Sequence, residues 1–431
     1  AGRRRSGMGR RHDPALAAWL GGLNALGPTR REVGLERVRL GAEALGILSA
    51  PARELTVDGT NGKGSTVALG EAVALAAGLR VACYTSPHIL RFNERLRING
   101  VEASDTDIVG GLDAVEAARG AVPLTYFEFI TLAALWHISQ LDLDLWILEI
   151  GLGGRLDVVN VIDADVAVIT SIGLDHQDWL GDSRDAIALE KAGILRPGRP
   201  VVVGELDPPS ALTDRLNRHD GPVVRAGSDA LRWTGDGHGT WHLQANNRRW
   251  ADLPVPGIGG VCAQQNAAVA IAALGLIGAG VQEEALRQGL SHARIVGRFQ
   301  TIGSAPAVIV DTAHNPQAAE MLARSLVQRI GAGELHGVLS MLADKDVSAT
   351  VEAFRQRVEP VGPVHWYFAD STGPRGLRAE QLRARSGQHG ACYAGVPEAL
   401  DAARMAAGAA GRVVCFGSFL TVEAALRHIH D

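Results

Sequence analysis

Cysteine is scarce in this chain and scattered. Cys83, Cys262, Cys392 and Cys415 lie far apart, with no CxxC pair and no zinc-ligand spacing among them. That argues against a disulfide framework or a structural zinc site and leaves the expectation of reduced, mostly buried thiols in a cytoplasmic protein. No apolar run approaches the length of a membrane span. Arg3, Arg4, Arg5, Arg10 and Arg11 are followed by no apolar stretch, so they make no secretory signal, and residues 1–12 read as a basic, disordered tail. Neither sign of charge is in large excess: 42 Lys and Arg face 47 Asp and Glu, a formal net charge of −5. Such a balance gives no global attraction to nucleic acid or an acidic membrane, and neither is expected as a partner. There are no internal repeats and no low-complexity linker.

What is present is 431 residues, 46% hydrophobic and 21% charged, enough for two or three cores of ordinary size. Strand-like and helix-like runs alternate. Residues 54–58 read as a strand, 64–77 as a helix stopped by Gly78, and 80–85 as the next strand, one βαβ unit. A helical pattern over 127–141 leads into a strand at 145–150, and 165–172 reads as another strand rich in Val and Ile. A helix is expected over 183–194. Continuous apolar strands between helices predict a parallel sheet covered on both faces. Residues 228–250 differ: Trp233, Trp241 and Trp250 among Gly, Thr and Asn read as short antiparallel strands, with the indoles packing. After an Ala-rich helix at 264–276, a second α/β series runs from 307 to the end. The boundary falls near 296–304, where Gly297 and Gly303 mark loops.

The sharpest motif spans residues 57–66, leaving a strand and opening a helix. Its glycines let backbone N–H groups face phosphate oxygens, the helix N-terminus adds partial positive charge, and Lys63 adds a full one. Val57 stands where the usual phosphate loop has its first glycine. Ser86, Glu149 and His176 each follow a predicted strand of the same sheet. Alone, each has a bland reading: a turn, an ion pair, a satisfied histidine. Their convergence with Lys63 at one strand edge points to a nucleotide and metal site. Lys191 by itself reads as a helix-end lysine interacting with the dipole. Arg298 and Asp311, just past the boundary, are candidates to meet nucleotide phosphate and sugar across a cleft.

Taken in order, the motifs resemble one family: GTNGKGS (59–65), TSPH (85–88), TYFEF (125–129), EIGLGGRLD (149–157), TSIGLDHQDWLG (170–181), EKAGI (190–194), GRFQ (297–300), DTAHNPQAA (311–319), LADKD (342–346), GPRG (373–376) and GSF (417–419). They resemble the bacterial bifunctional dihydrofolate synthase/folylpolyglutamate synthases of the Mur ligase superfamily. The resemblance implies an α/β protein with a P-loop ATPase-like, mostly parallel sheet over residues 13–296 and a smaller Rossmann-like α/β glutamate ligase domain over 297–431. It implies an ATP-dependent acid–amino-acid ligase that adds L-glutamate to 7,8-dihydropteroate and to reduced folates through an acyl phosphate, a monomer in the cytoplasm with small molecules as partners. Gly59, Thr60, Asn61, Gly62, Lys63, Gly64 and Ser65 would cradle ATP, with Asn266, Arg298, Asp311 and His314 reaching it from the far side. Ser86, Glu149, His176 and Lys191 would hold magnesium, two ions in all, with Lys63, Glu149, His176 and Lys191 catalytic and Lys191 carbamylated. Thr125, Tyr126, Phe127, Glu128, Arg155, Leu156, Asp157 and Val158 match the pterin segments, where a ring wants an aromatic surface and a carboxylate facing its N–H groups.

One departure is Val159, where the bifunctional pattern commonly has threonine; a lost hydrogen bond there is worth about 1 kcal/mol. Three rivals remain. A folylpolyglutamate synthase without dihydrofolate synthase activity is one, and a non-catalytic nucleotide-binding module is the second. The third is a Mur ligase of cell-wall precursors, which would be expected to carry an extra N-terminal domain that the stretch before Gly59 is too short to hold.

Overall fold

The computed structural model describes residues 12–25, 34–235, 239–331, 333–373 and 375–430. Residues 1–11 of the expected tail lie outside the described residues, as does Pro374 of the GPRG motif.

The first eight strands are β1 (Arg53–Asp58), β2 (Val81–Tyr84), β3 (Leu96–Ile98), β4 (Val101–Glu102), β5 (Leu145–Glu149), β6 (Val166–Ile169), β7 (Val201–Val203) and β8 (Val223–Arg225). They form one sheet in the order β4-β3-β2-β5-β1-β6-β7-β8, parallel except for β3 and β4 at one edge. The unbroken apolar runs follow from cover on both faces. In β5, Trp146 and Leu148 enter the core beneath the helix Tyr126–Ser139, while Leu145 and Ile147 enter the opposite core beneath the helices Lys63–Ala76 and Ala263–Leu276. With both faces closed, polar groups of these strands can meet a ligand only at the strand ends.

Strands β9 (Leu231–Thr234), β10 (Thr240–Ala245) and β11 (Arg248–Pro254) form the expected antiparallel sheet. Trp241 and Trp250 are buried in the second of those cores, and the Trp241 indole donates to the Pro254 carbonyl (2.9 Å). The second series gives β12 (Gln300–Ser304), β13 (Ala307–Asp311), β14 (Leu335–Leu339), β15 (Val364–Ala369), β16 (Gly390–Tyr393) and β17 (Arg412–Phe416), in the order β12-β13-β17-β14-β15-β16. Only β12 runs antiparallel to its neighbour.

Three details differ from the sequence expectations. The strand at 165–172 stops at Ile169, because Thr170 and Ser171 turn their hydroxyls to the phosphate loop. The helix Asp105–Arg119 is not among the expected elements, since Gly110 and Gly111 dilute its periodicity; Ser104 caps it, and a Cβ on Gly111 would lie 2.5 Å from the Ala133 carbonyl, so glycine permits a close helix crossing. Of the four free thiols, only Cys83 and Cys415 are fully buried; Cys262 and Cys392 are half-buried.

The first core contains a costly carboxyl. Glu54 of β1 is 1% exposed. It accepts from the Thr56 hydroxyl (2.7 Å), but its other oxygen has no partner among the described residues. Burial pushes its pKa up to about 8. Between its ordinary value of 4.5 and about 8, the native chain holds a proton that the unfolded chain has released. Stability from this group is therefore full at low pH and lost as pH rises through that window. Glu54→Gln is expected to be more stable than wild type at pH 8.5, by about 1–3 kcal/mol, with the advantage shrinking towards pH 5; denaturant melts at the two pH values check this.

Candidate active site

The phosphate loop leaves β1 at Asp58 and is braced by the end of the neighbouring strand. The Thr170 hydroxyl donates to the Asn61 carbonyl (2.7 Å) and the Ser171 hydroxyl to the same oxygen (3.0 Å). The Thr60 amide donates to the Ser171 carbonyl (2.8 Å). Gly62 takes a left-handed φ of +90° to cap the helix Lys63–Ala76, and a Cβ there would strike Asn266 Oδ1 at 2.8 Å. The loop is thus wedged between β6 and the start of the helix Ala263–Leu276. Lys63 bends back so that its ammonium donates to the Gly59 carbonyl (2.9 Å).

Glu149 ends β5 beside this loop and accepts from the Ser86 amide (3.1 Å). A Cβ on Gly64 would sit 3.7 Å from its carboxylate, so loop and carboxylate are in contact. Burial raises the Glu149 pKa, opposed chiefly by the Lys63 charge, and burial lowers that of Lys63. Both charges are held at a cost that an opposite charge in the cleft relieves. His176 follows β6 in a left-handed conformation (φ +50°), and burial lowers its pKa to about 4, leaving a neutral imidazole at pH 7. Lys191 is not a dipole-stabilising residue at a free helix end. It is 3% exposed, and its ammonium donates to Asp58 Oδ1 (2.9 Å) and the Gly153 carbonyl (3.3 Å).

These groups line one cleft of about 420 Å³ together with loops of the six-stranded sheet. From that side come Arg298, whose guanidinium lies 5.1 Å from the centre of the Phe419 ring, and Asp311, which accepts from the Phe299 and Ala313 amides (2.7 and 2.8 Å). His314 bonds the Thr312 carbonyl and reaches Asp175 (3.2 Å). Asn266 faces the cleft as well. Among the described residues no three His, Cys, Asp or Glu side chains converge as a ready metal cluster. A buried carboxylate, a neutral imidazole and a hydroxyl at separate strand ends instead fit a divalent cation that takes its remaining ligands from phosphate and water.

The expected pterin segments do not line this cleft. They stand behind its Gly151–Gly153 wall, where a Cβ on Gly151 would strike the Phe127 ring at 2.4 Å. Thr125 and Glu128 cap the helix Tyr126–Ser139 reciprocally, and Glu128 also pairs with Arg37 (2.6 Å). Arg155 pairs with Glu190 (2.8 Å), and Val158 is buried beside half-buried Leu156. Tyr126 packs, partly buried, against the first core. Val159 is fully buried in that core, so its methyl replaces a hydroxyl at a site that favours a hydrocarbon.

Sequence reasoning missed the roles of Thr170, Ser171 and Asp175, and it named Asn61 as a loop residue without its tie to the other sheet. Thr170 and Ser171 brace the loop. Asn61 pairs its amide in both directions with Asn315 (3.2 and 3.1 Å) and donates to Gln317 (2.7 Å), tying the loop to the helix Pro316–Ile330 of the other sheet. Asp175 binds Lys345 (2.5 Å). One signal was available for the last: the chain has only three lysines, Lys63, Lys191 and Lys345, among its 42 basic residues.

The model of the Mur ligase glutamate ligase domain family matches residues 297–419. Over 416 residues the chain is 42% identical to the dihydrofolate synthase/folylpolyglutamate synthase of Escherichia coli K12, covering 94% of each. It is similar to the solved structure of E. coli FolC in complex with DHPP and ADP, with a TM-score of 0.90, 42% identity, and coverage of 96% of this chain and 97% of that one. A bifunctional folylpolyglutamate synthase/dihydrofolate synthase with Mn, AMPPNP and L-glutamate bound gives a TM-score of 0.88 at 42% identity, covering 98% and 100%.

Asp157 is committed to the backbone, accepting from the amides of Gly151 (3.1 Å), Leu152 (2.9 Å) and Val159 (3.0 Å). Asp157→Ala is therefore expected to loosen the 151–153 wall, to cost about 1–3 kcal/mol, and to slow turnover of every acceptor. Faster hydrogen exchange at those three amides is the direct readout. Wild-type protection there would show that the carboxylate does not hold the wall.

Proposed function

The chain belongs to the dihydrofolate synthase/folylpolyglutamate synthase family, and from that membership we propose how its cleft works. The protein is an ATP-dependent ligase that adds L-glutamate to 7,8-dihydropteroate and to reduced folates, and it uses ATP and a divalent metal. The acceptor carboxylate takes the γ-phosphoryl group to become an acyl phosphate; the glutamate amine attacks its carbonyl carbon, and phosphate leaves. The observation that carries the site reading is the shared cleft, with Lys63 and Glu149 on one wall and Arg298, Asp311 and His314 on the other.

In this reading residues 59–65 cradle the ATP phosphates with backbone N–H groups, and Lys63 neutralises them from one side. Arg298 does so from the other, its guanidinium backed by the Phe419 ring. Asn266 and Asp311 bracket the nucleoside, with His314 beside them. Phosphoryl transfer asks for positioning and neutralisation rather than a covalent nucleophile, which matches a wall of fixed donors. Ser86, Glu149 and His176 would hold the first magnesium, and a carbamylated Lys191 would share in a second; the metal supplies charge neutralisation at the phosphate oxygens. The acceptor lies against Gly151–Gly153, with the segments 125–128 and 155–158 shaping its pterin end from behind. We assign residues 13–296 to the ATP-binding unit and 297–431 to the glutamate ligase unit, and expect a cytoplasmic monomer. No helix among the described residues is long and apolar enough to cross a membrane.

Lys63→Ala and Glu149→Gln are expected to fold normally and to lose about 100-fold or more in kcat. Phosphate release would be measured with ATP and glutamate, once with dihydropteroate and once with a reduced folate. Near-wild-type rates in either variant would sink the site assignment, and turnover of reduced folates alone would reduce the activity to folylpolyglutamate synthesis. Lys191 is expected to add carbon dioxide. A carbamate resonance should appear in ¹³C NMR with labelled bicarbonate and be missing in Lys191→Arg; its absence from wild type with ATP analogue and metal would leave Lys191 as the ammonium partner of Asp58.

A further inference from the structure

The GLDHQDW segment carries an acidic residue that the mechanism above does not use. Asp175 is nearly buried, with its side chain 8% exposed. Its two oxygens collect four donors. Oδ1 takes the Lys345 ammonium (2.5 Å) and the backbone amide of His176 (2.8 Å); Oδ2 takes His314 Nε2 (3.2 Å) and the Asn315 side-chain amide (3.0 Å). Three of the four come from loops of the six-stranded sheet, while the fourth is the next residue in the chain.

That next residue is the one whose imidazole faces the metal in the proposed function, and its backbone is unusual. His176 sits at φ +50° and ψ +41°, a left-handed conformation uncommon for residues with a Cβ, although histidine takes it more readily than most. The short helix that follows fixes its carbonyl, which accepts from the Trp179 and Leu180 amides. On the N–H side the hold is the Asp175 carboxylate. The backbone that carries the imidazole is thus bonded to a carboxylate, and the carboxylate is bonded to three groups of the other sheet.

We propose that Asp175 is a positioning residue that makes the aim of His176 conditional on docking of the six-stranded sheet through Lys345, His314 and Asn315. This rests on the reading of His176 as a metal ligand. Docking would then do more than close the cleft: it would complete the metal site from the rear, so that the metal is held fully only when the glutamate side is in place. The lysine count supports a role for the node. In a chain that otherwise uses arginine for its positive charges, Lys345 is one of only three lysines, and it is 8% exposed.

The test uses the full chain, Mn²⁺ in place of magnesium and a non-hydrolysable ATP analogue. Electron spin-echo measurements on wild type should show a ¹⁴N coupling from His176 that His176→Ala lacks. Asp175→Ala and the isosteric Asp175→Asn should lose that coupling and bind Mn²⁺ about tenfold more weakly, with nucleotide affinity in the absence of metal unchanged. Lys345→Met leaves Asp175 and His176 in place and should weaken both signals. Thermal melts show which variants are folded, and the isosteric change serves if the alanine variant is not. Folded Asp175 variants with wild-type coupling and Mn²⁺ affinity would overturn the proposal, and so would an effect of Asp175→Asn that Lys345→Met does not share. A wild type with no ¹⁴N coupling would instead overturn the metal assignment of His176, and the proposal with it.

Discussion

Four charged side chains, Asp58, Lys63, Glu149 and Lys191, share one end of a sheet whose two faces are sealed with hydrocarbon, and the rest of the site answers to that crowding. Asp58, Glu149 and Lys191 are withdrawn from water and Lys63 is half-buried, and burial moves Asp58, Lys63 and Glu149 towards neutrality: the carboxyls upward, the lysine downward. Partial remedies are visible. Lys191 pairs with Asp58, Lys63 leans on the Gly59 carbonyl, and Glu149 takes the Ser86 amide. None discharges the group fully, and Asp58 Oδ2 has no partner among the described residues. In the proposed function, a polyanion with its cation would complement these charges together. Binding of such a pair would stabilise the fold by mass action.

How far this was legible beforehand follows from the range of the interactions. The βαβ unit, the loop between β1 and the helix Lys63–Ala76, and the convergence of Ser86, Glu149 and His176 rest on local pattern and strand order, which a sequence carries openly. The end of β6 was misjudged because Thr170 and Ser171 have β-compatible side chains; they leave the strand to satisfy the Asn61 carbonyl more than a hundred positions away. Lys191 by itself reads as a helix-end lysine, and only the resemblance gives it a site role, because nothing near it in the chain reveals Asp58. The node at Asp175 joins residues from β6, β13 and β14 loops, and periodicity has no access to such a meeting.

The acceptor segments show the same limit from the other side. TYFEF and RLD match the family's pterin segments by resemblance, yet their polar atoms are largely engaged in structure: Thr125 and Glu128 in a reciprocal cap, Asp157 in three backbone amides. A motif marks where a family keeps its residues without saying whether a residue touches the ligand or holds the wall that does. Val159 illustrates the converse. The departure looked like a lost hydrogen bond, but its side chain lies wholly within the first core, where a methyl group is the better occupant.

Lysine is rare in this chain, and its three positions are not interchangeable with arginine in chemistry. Arginine serves equally well on a surface, since both residues keep a charged head in water on a flexible stem. A closed pocket separates them: the guanidinium is a broad planar fork, the ammonium a compact charge. Around Lys191 the fit is tight. A Cβ on Gly154 would lie 2.6 Å from Asp58 Oδ2 and 2.8 Å from the Lys191 Cα, so even one added carbon has no room. Lys63 is confined by its own loop, and Lys345 reaches a single carboxylate oxygen at 2.5 Å. Every other Lys-or-Arg position in the chain is arginine, and the three lysines all stand at the cleft or at the Asp175 node beside it, each with its ammonium within 2.9 Å of a carboxylate or carbonyl oxygen.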